Sequence, residues 1–275
     1  MNKFFIQKNQ YNYLLSIQIC IIEKKWGIYR LQPRTASNYY VKRKTILMNN
    51  FDKFLGISKR LLVDKFSEEK IKDLHEQMRK EYEELIPEIP YIGGNKNPFT
   101  IILLDCISSL PMIRALEKEG MSYREIGKFT YDFWEASNKI RAIKAEKKGQ
   151  DPAERLFKED YVNYMKLLAG TSQKRKFDSD WVFDFVDGKE EAFDYGYNFS
   201  NCGVYDFYKK QGAEKYVPFV CLSDFAEAHM AGCGLTRTQT IGNGDPICDH
   251  RYTRYGTTNR AWPPDSIEEF KMELD

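Results

Sequence analysis

Apolar residues recur at helical spacing from Ser67 to about residue 168, then give way to the tighter alternation of strands. From Ser67 the stripe Ile71, Leu74, Met78 and Leu85 predicts an amphipathic helix. Ser67 supplies its cap, Glu68 and Glu69 suit its positive end, and Pro87 and Pro90 stop it. A loop over 91–98 carries Gly93-Gly94. The stretch 99–119 predicts a second, more apolar helix, kinked or split by Pro111 and ended by Gly120. Ser122-x-x-Glu125 is a capping box for a third helix to about 147. Asp151-Pro152, a cap followed by proline at the first helical position, opens a fourth to about 168.

The period changes at Trp181. The aromatic and β-branched runs 181–186 and 192–197 predict a hairpin around a turn beginning Asp187-Gly188-Lys189. Helical spacing returns over 204–210 and 217–231, with Gly212 and Gly232 as stops. A second hairpin is predicted from 235–241 and 247–253 across a turn at 242–246, before a surface tail containing Pro263-Pro264. Helices first, then an antiparallel sheet with helices inserted, predicts an α+β fold.

Composition changes this picture at one end. The 275 residues carry a net charge of +2, but residues 1–47 hold nine Lys/Arg against Glu23 alone, about +8, leaving about −6 for the rest. That basic stretch has no sustained periodicity. It is read as a leader, disordered or the product of a mis-called start at Met48, with a single domain over 48–275. The alternative is a basic arm for an acidic partner. The mildly acidic body argues against nucleic acid as a partner, and Lys174-Arg175-Lys176 is read as a solvated turn. The apolar stretch 14–22 is interrupted by Ser16, Gln18 and Cys20, so neither a membrane span nor a signal peptide is expected. Six cysteines are too sparse for a disulfide scaffold. The expectation is a soluble cytoplasmic protein acting on a small molecule, with a homo-oligomer left open.

Four of the six cysteines fall in the last quarter, at Cys202, Cys221, Cys233 and Cys248, among carboxylates, an arginine and glycine turns. On a helix Cys221 and Asp224 share a face, at i and i+3. Cys202, at a strand-to-helix junction, would feel a positive helix end that lowers its pKa. Three readings follow. A cysteine is a nucleophile, with Asp224 or Asp249 moving protons and Arg237 gripping a carboxylate. Or Cys221, Asp224 and Cys248, with Cys202 or His250, bind a metal such as zinc, although no C-x-x-C occurs. Or the thiols pack a core, the reading favoured for Cys106 and Cys233.

The ordered set Asn201-Cys202-x-x-Tyr205, Cys221-x-x-Asp224, Gly234-Leu235-x-Arg237-x-x-Thr240 and Gly244-x-x-x-Cys248-Asp249 resembles the L-2-amino-thiazoline-4-carboxylic acid hydrolase family. His250 departs from it, standing where an aromatic residue, usually Phe, follows Cys-Asp. The resemblance implies hydrolytic opening of a 2-aminothiazoline ring to a carbamoyl-cysteine. It implies Cys221, Asp224, Cys202, Cys248 and Asp249 as catalytic residues. Arg237, Asn201 and Thr240 would bind substrate, and a thiolate of Cys202 or Cys221 or a metal-bound water would attack; no cofactor is expected, with a metal on Cys221, Asp224 and Cys248 left open. The closing pattern of Thr240, Gly244, Asp245 and Cys248 is also similar to the 4-vinyl reductase type of ligand-binding domain. That similarity implies a binding or sensor module without turnover.

Overall fold

Ser67 and Ser122 perform the capping their positions predict. In the computed structural model, the Ser67 side chain accepts from the Lys70 backbone N–H at the start of α2 (Glu68–Leu85). Ser122 and Glu125 form a reciprocal capping box at the start of α4 (Tyr123–Glu146). The structure describes residues 38–188 and 192–259, with Ala261, Trp262 and Pro264. Most of the basic leader, Cys20, Lys189 and the acidic C-terminal stretch lie outside the described residues.

The leader's last residues are part of the fold. A helix α1 spans Lys44–Leu62, so Met48 lies inside its second turn, and Tyr40 and Leu47 are buried in the core. The next helix, α3 (Phe99–Lys118), runs unbroken through Pro111, followed by Gly120 at φ 80°. By length and composition alone α3 is long and apolar enough to cross a membrane. However, 72% of that window is buried inside the fold, as befits a core helix. The predicted fourth helix is two, α5 (Pro152–Phe157), capped by Asp151, and α6 (Glu159–Ser172).

Among the described residues four antiparallel strands follow, β1 (Val182–Asp187), β2 (Tyr195–Asn201), β3 (Gly234–Thr236) and β4 (Cys248–Thr253), in the order β1-β2-β4-β3. Side chains alternate between faces, so the register dictates what shares the inner face. It sets Phe183 beside Phe199 and Cys248, Phe185 beside Tyr197 and His250, and Tyr195 beside Tyr252 and Leu235. The helical layer meets this aromatic face through Phe99 of α3. Its ring stacks on Trp181 at 4.9 Å and meets Phe183 and Phe199 edge-on at 5.6 and 6.0 Å. The outer face is polar, with Arg251 donating to Asn198 Oδ1 at 2.9 Å. One polar and one buried face is the usual economy of an antiparallel sheet.

Between the strands lie α7 (Gly203–Lys210), α8 (Val217–Cys221) and α9 (Ser223–Ala231). The predicted single helix over 217–231 breaks at Leu222. The second hairpin is also shorter than expected. Its first strand ends at Thr236, and residues 237–247 form a loop with one 3-10 turn at Ile241–Asn243.

Candidate functional site

The 237–247 loop has few strand bonds, so side chains supply its rigidity. Asp249, on the polar face of β4, accepts from the Thr238 and Gln239 backbone N–H groups at 2.8 and 2.6 Å and from the Thr238 hydroxyl at 2.6 Å. Asp245 Oδ2 accepts from the Thr240 N–H at 2.8 Å, and Gly244 turns the chain at φ 94°. The loop is thereby pressed onto α8. A Cβ at Gly242 would lie 3.2 Å from Cys221 Sγ and 3.1 Å from Val217 Cγ1, so a larger residue there would crowd the thiol. The Ile241 N–H donates to Cys248 Sγ at 3.2 Å, and the Thr240 hydroxyl lies 3.4 Å from the same sulfur.

Asp224, in the first turn of α9, is the centre of the site. Its Oδ2 accepts from Arg237 Nη1 at 2.9 Å and faces His250 Nε2 at 3.2 Å. The same His250 Nε2 also lies 3.3 Å from Arg237 Nη1. His250 Nδ1 is buried without a hydrogen-bond partner among the described residues. The second Arg237 nitrogen, Nη2, donates to the Cys221 carbonyl at 3.2 Å, and the guanidinium lies over the Phe225 ring at 4.8 Å. Arg237 is 6% exposed at its side chain, Asp224 37%. Asp224 is packed about by neighbouring elements and still reached by solvent. Burial raises the carboxyl's pKa, but His250 and Arg237 outweigh it and hold it below the ordinary carboxylate value.

The thiols behave oppositely. Burial pushes Cys221 up to about 12 against the opposing pull of Arg237. Cys202 is held well above the ordinary thiol value, again by burial first. This reverses the expectation that a helix end would lower it. The backbone N–H groups of Val204 and Tyr205 do favour its thiolate, but loss of water costs more. Cys248 is raised in the same way, with Thr240 and the Ile241 N–H as opposing hydrogen bonds.

The expected residues therefore divide. Cys202, Cys221, Cys248 and Asp224 lie within one another's electrostatic reach, joined by Cys106 of α3, which sequence reasoning had assigned to packing. Thr240 lies beside Cys248, while Asn201 and Asp249 hold backbone and loop. The Asn201 amide donates to the Asp180 carbonyl at 2.8 Å and to Asp206 Oδ2 at 3.1 Å. Arg237 is turned inward with both terminal nitrogens engaged, so it is not the open fork expected for a substrate carboxylate. His250, read in sequence as a candidate metal ligand and as a departure from the family pattern, faces Asp224 in this cluster. Its position on the inner face at the centre of the sheet register was the available signal. Among the described residues no group of three or more His, Cys, Asp or Glu side chains could hold a metal, so the chelate of Cys221, Asp224 and Cys248 finds no ligand set there.

Fold and site define an α+β domain whose helical layer and aromatic sheet face enclose a carboxylate–arginine–histidine cluster ringed by protonated thiols. The model of the L-2-amino-thiazoline-4-carboxylic acid hydrolase family matches residues 105–252, more than half of the chain, and the protein belongs to that family. The match runs from within α3 to within β4, so it contains every residue of the cluster. No curated protein and no solved structure matches the chain.

Proposed function

We propose that the protein is a hydrolase that opens a small C–N/C–S heterocycle, with L-2-amino-thiazoline-4-carboxylate as the type substrate. Membership of the family supports the reaction class, and the Asp224–Arg237–His250 cluster is the observation that carries it. Water adds to ring C2, the C2–S bond breaks, and the sulfur leaves with a proton, giving a carbamoyl-cysteine. Water is a better candidate than a thiolate for the attacking group. Cys221, with its pKa pushed up to about 12, holds only on the order of one thiolate in 10⁵ at neutral pH. Asp224, ionised and reached by solvent, is the group that contacts the ring. The described cysteines are all free thiols, which favours a reducing compartment such as the cytoplasm.

One observation favours a second reading. Every thiol of the cluster is held protonated, as suits a binding or sensor module that performs no covalent chemistry. A single incubation separates the two. The purified protein is mixed with L-2-aminothiazoline-4-carboxylate and a panel of related cyclic amidines, and products are read by mass spectrometry. A gain of one water marks the hydrolase. Thermal stabilisation by these ligands with no product defeats it and leaves the binding module.

A further inference from the structure

Asp224 offers one oxygen to the protein and keeps the other. Oδ2 takes both the Arg237 and the His250 contacts, while Oδ1 has no hydrogen-bond partner among the described residues. The carboxylate that bears it is 37% exposed. The cation behind it is not available to a ligand, since Arg237 is engaged through Nη1 and Nη2 and lies over Phe225. The surrounding sulfurs of Cys202, Cys221 and Cys248 are protonated and carry no charge. Asp224 is therefore the ionised group of this cluster that meets solvent, and its place in the first turn of α9 also favours the anion.

From this we infer that the site recognises the cationic end of its ligand. Asp224 Oδ1 accepts from the N–H donors of a protonated cyclic amidine or isothiourea, and Arg237 and His250 act as positioning residues that hold the carboxylate ionised and fixed. The inference rests on the hydrolase reading for the choice of ring. It reverses the polarity expected from sequence, in which an arginine would read the ring carboxylate. A carboxylate–amidinium contact is charge-assisted and directional, and with Oδ2 held by Arg237 and His250 it is made through Oδ1. It also leaves C2, the carbon between the two nitrogens, polarised toward attack.

Three probes test this on the unaltered full chain by calorimetric titration. They are L-2-aminothiazoline-4-carboxylate, 2-aminothiazoline without the carboxylate, and 2-methylthiazoline-4-carboxylate without the exocyclic amine. Removing the amine is expected to weaken binding about tenfold to a hundredfold, the range for a hydrogen bond to a charged group, and removing the carboxylate to weaken it less. Asp224→Asn, checked for folding by circular dichroism, should lose affinity for the two amine-bearing probes and keep it for the methyl one. The opposite ranking overturns the inference, as does failure of 2-aminothiazoline to bind. The two readings fail separately. Binding in the expected order without turnover leaves the inference and removes the hydrolase. Equal turnover of the methyl compound leaves the hydrolase and removes the inference.

Discussion

Lys59 and Glu68, which link α1 to α2, pair at 3.4 Å with side chains 51% and 86% exposed. Arg237 and Asp224 pair at 2.9 Å with the arginine 6% exposed. The bonds look alike and differ in what happens when they break. Water replaces the partner of an exposed ion at little cost, so the helical layer draws little stability from its surface pairs. Arg237 has no such replacement, and loss of Asp224 leaves a buried cation uncompensated. The helical layer is held by apolar packing and capping, whereas the last quarter spends stability to keep one carboxylate ionised at a place solvent can reach.

The sharpest way to break this contrast is Asp224→Ala. It should cost about 3–5 kcal/mol in urea-induced unfolding, the range for removing one partner of a buried pair. A loss below about 1 kcal/mol, typical of an exposed pair, would place Arg237 in water and end the distinction. Ser122→Ala, which removes the cap of α4, should cost about 1 kcal/mol in the same assay. Lys59→Ala should change stability by no more than about 0.5 kcal/mol, and by less still in high salt.

The pH dependence has a definite sign. Asp224 has a lower pKa folded than unfolded, so its contribution is complete above the ordinary carboxylate value and is lost as pH falls through the depressed folded value. The stability gap between wild type and Asp224→Ala should therefore narrow on acidification from about pH 6 to about pH 3. A gap that widens would mean that the folded carboxyl is raised.

Local signals were readable wherever the physics is local. The Ser122–Glu125 box, the Ser67 and Asp151 caps and the prolines at 87 and 90 need only neighbouring residues to act. The break at Leu222 and the short β3 were not readable, because helical spacing over 217–231 and alternation over 235–241 are each self-consistent. What overrides them is the 237–247 loop, braced by Asp245 and Asp249 and packed on α8. The site was half legible. Its thiols and Asp224 stand out as residue types, but their protonation depends on burial. Cys106 enters from α3, nearly a hundred residues before Cys202. Arg237 shows as an arginine in the sequence, while the direction it faces is decided by Asp224 and the Cys221 carbonyl. His250 owes its role to the strand register beside Tyr197.

The comparison of carboxylate and thiol can be put to the reaction directly. Wild type, Asp224→Asn and Cys221→Ser are assayed side by side for kcat/KM on L-2-aminothiazoline-4-carboxylate, each first shown to be folded. Loss of Asp224 is expected to lower kcat/KM by about a hundredfold or more, the scale of a group that acts on the reacting atoms. Loss of the Cys221 thiol should lower it by no more than about tenfold, the scale of one neutral hydrogen bond. The reverse order, with Cys221→Ser inactive and Asp224→Asn nearly unimpaired, would make the thiol the nucleophile and contradict a site built around Asp224.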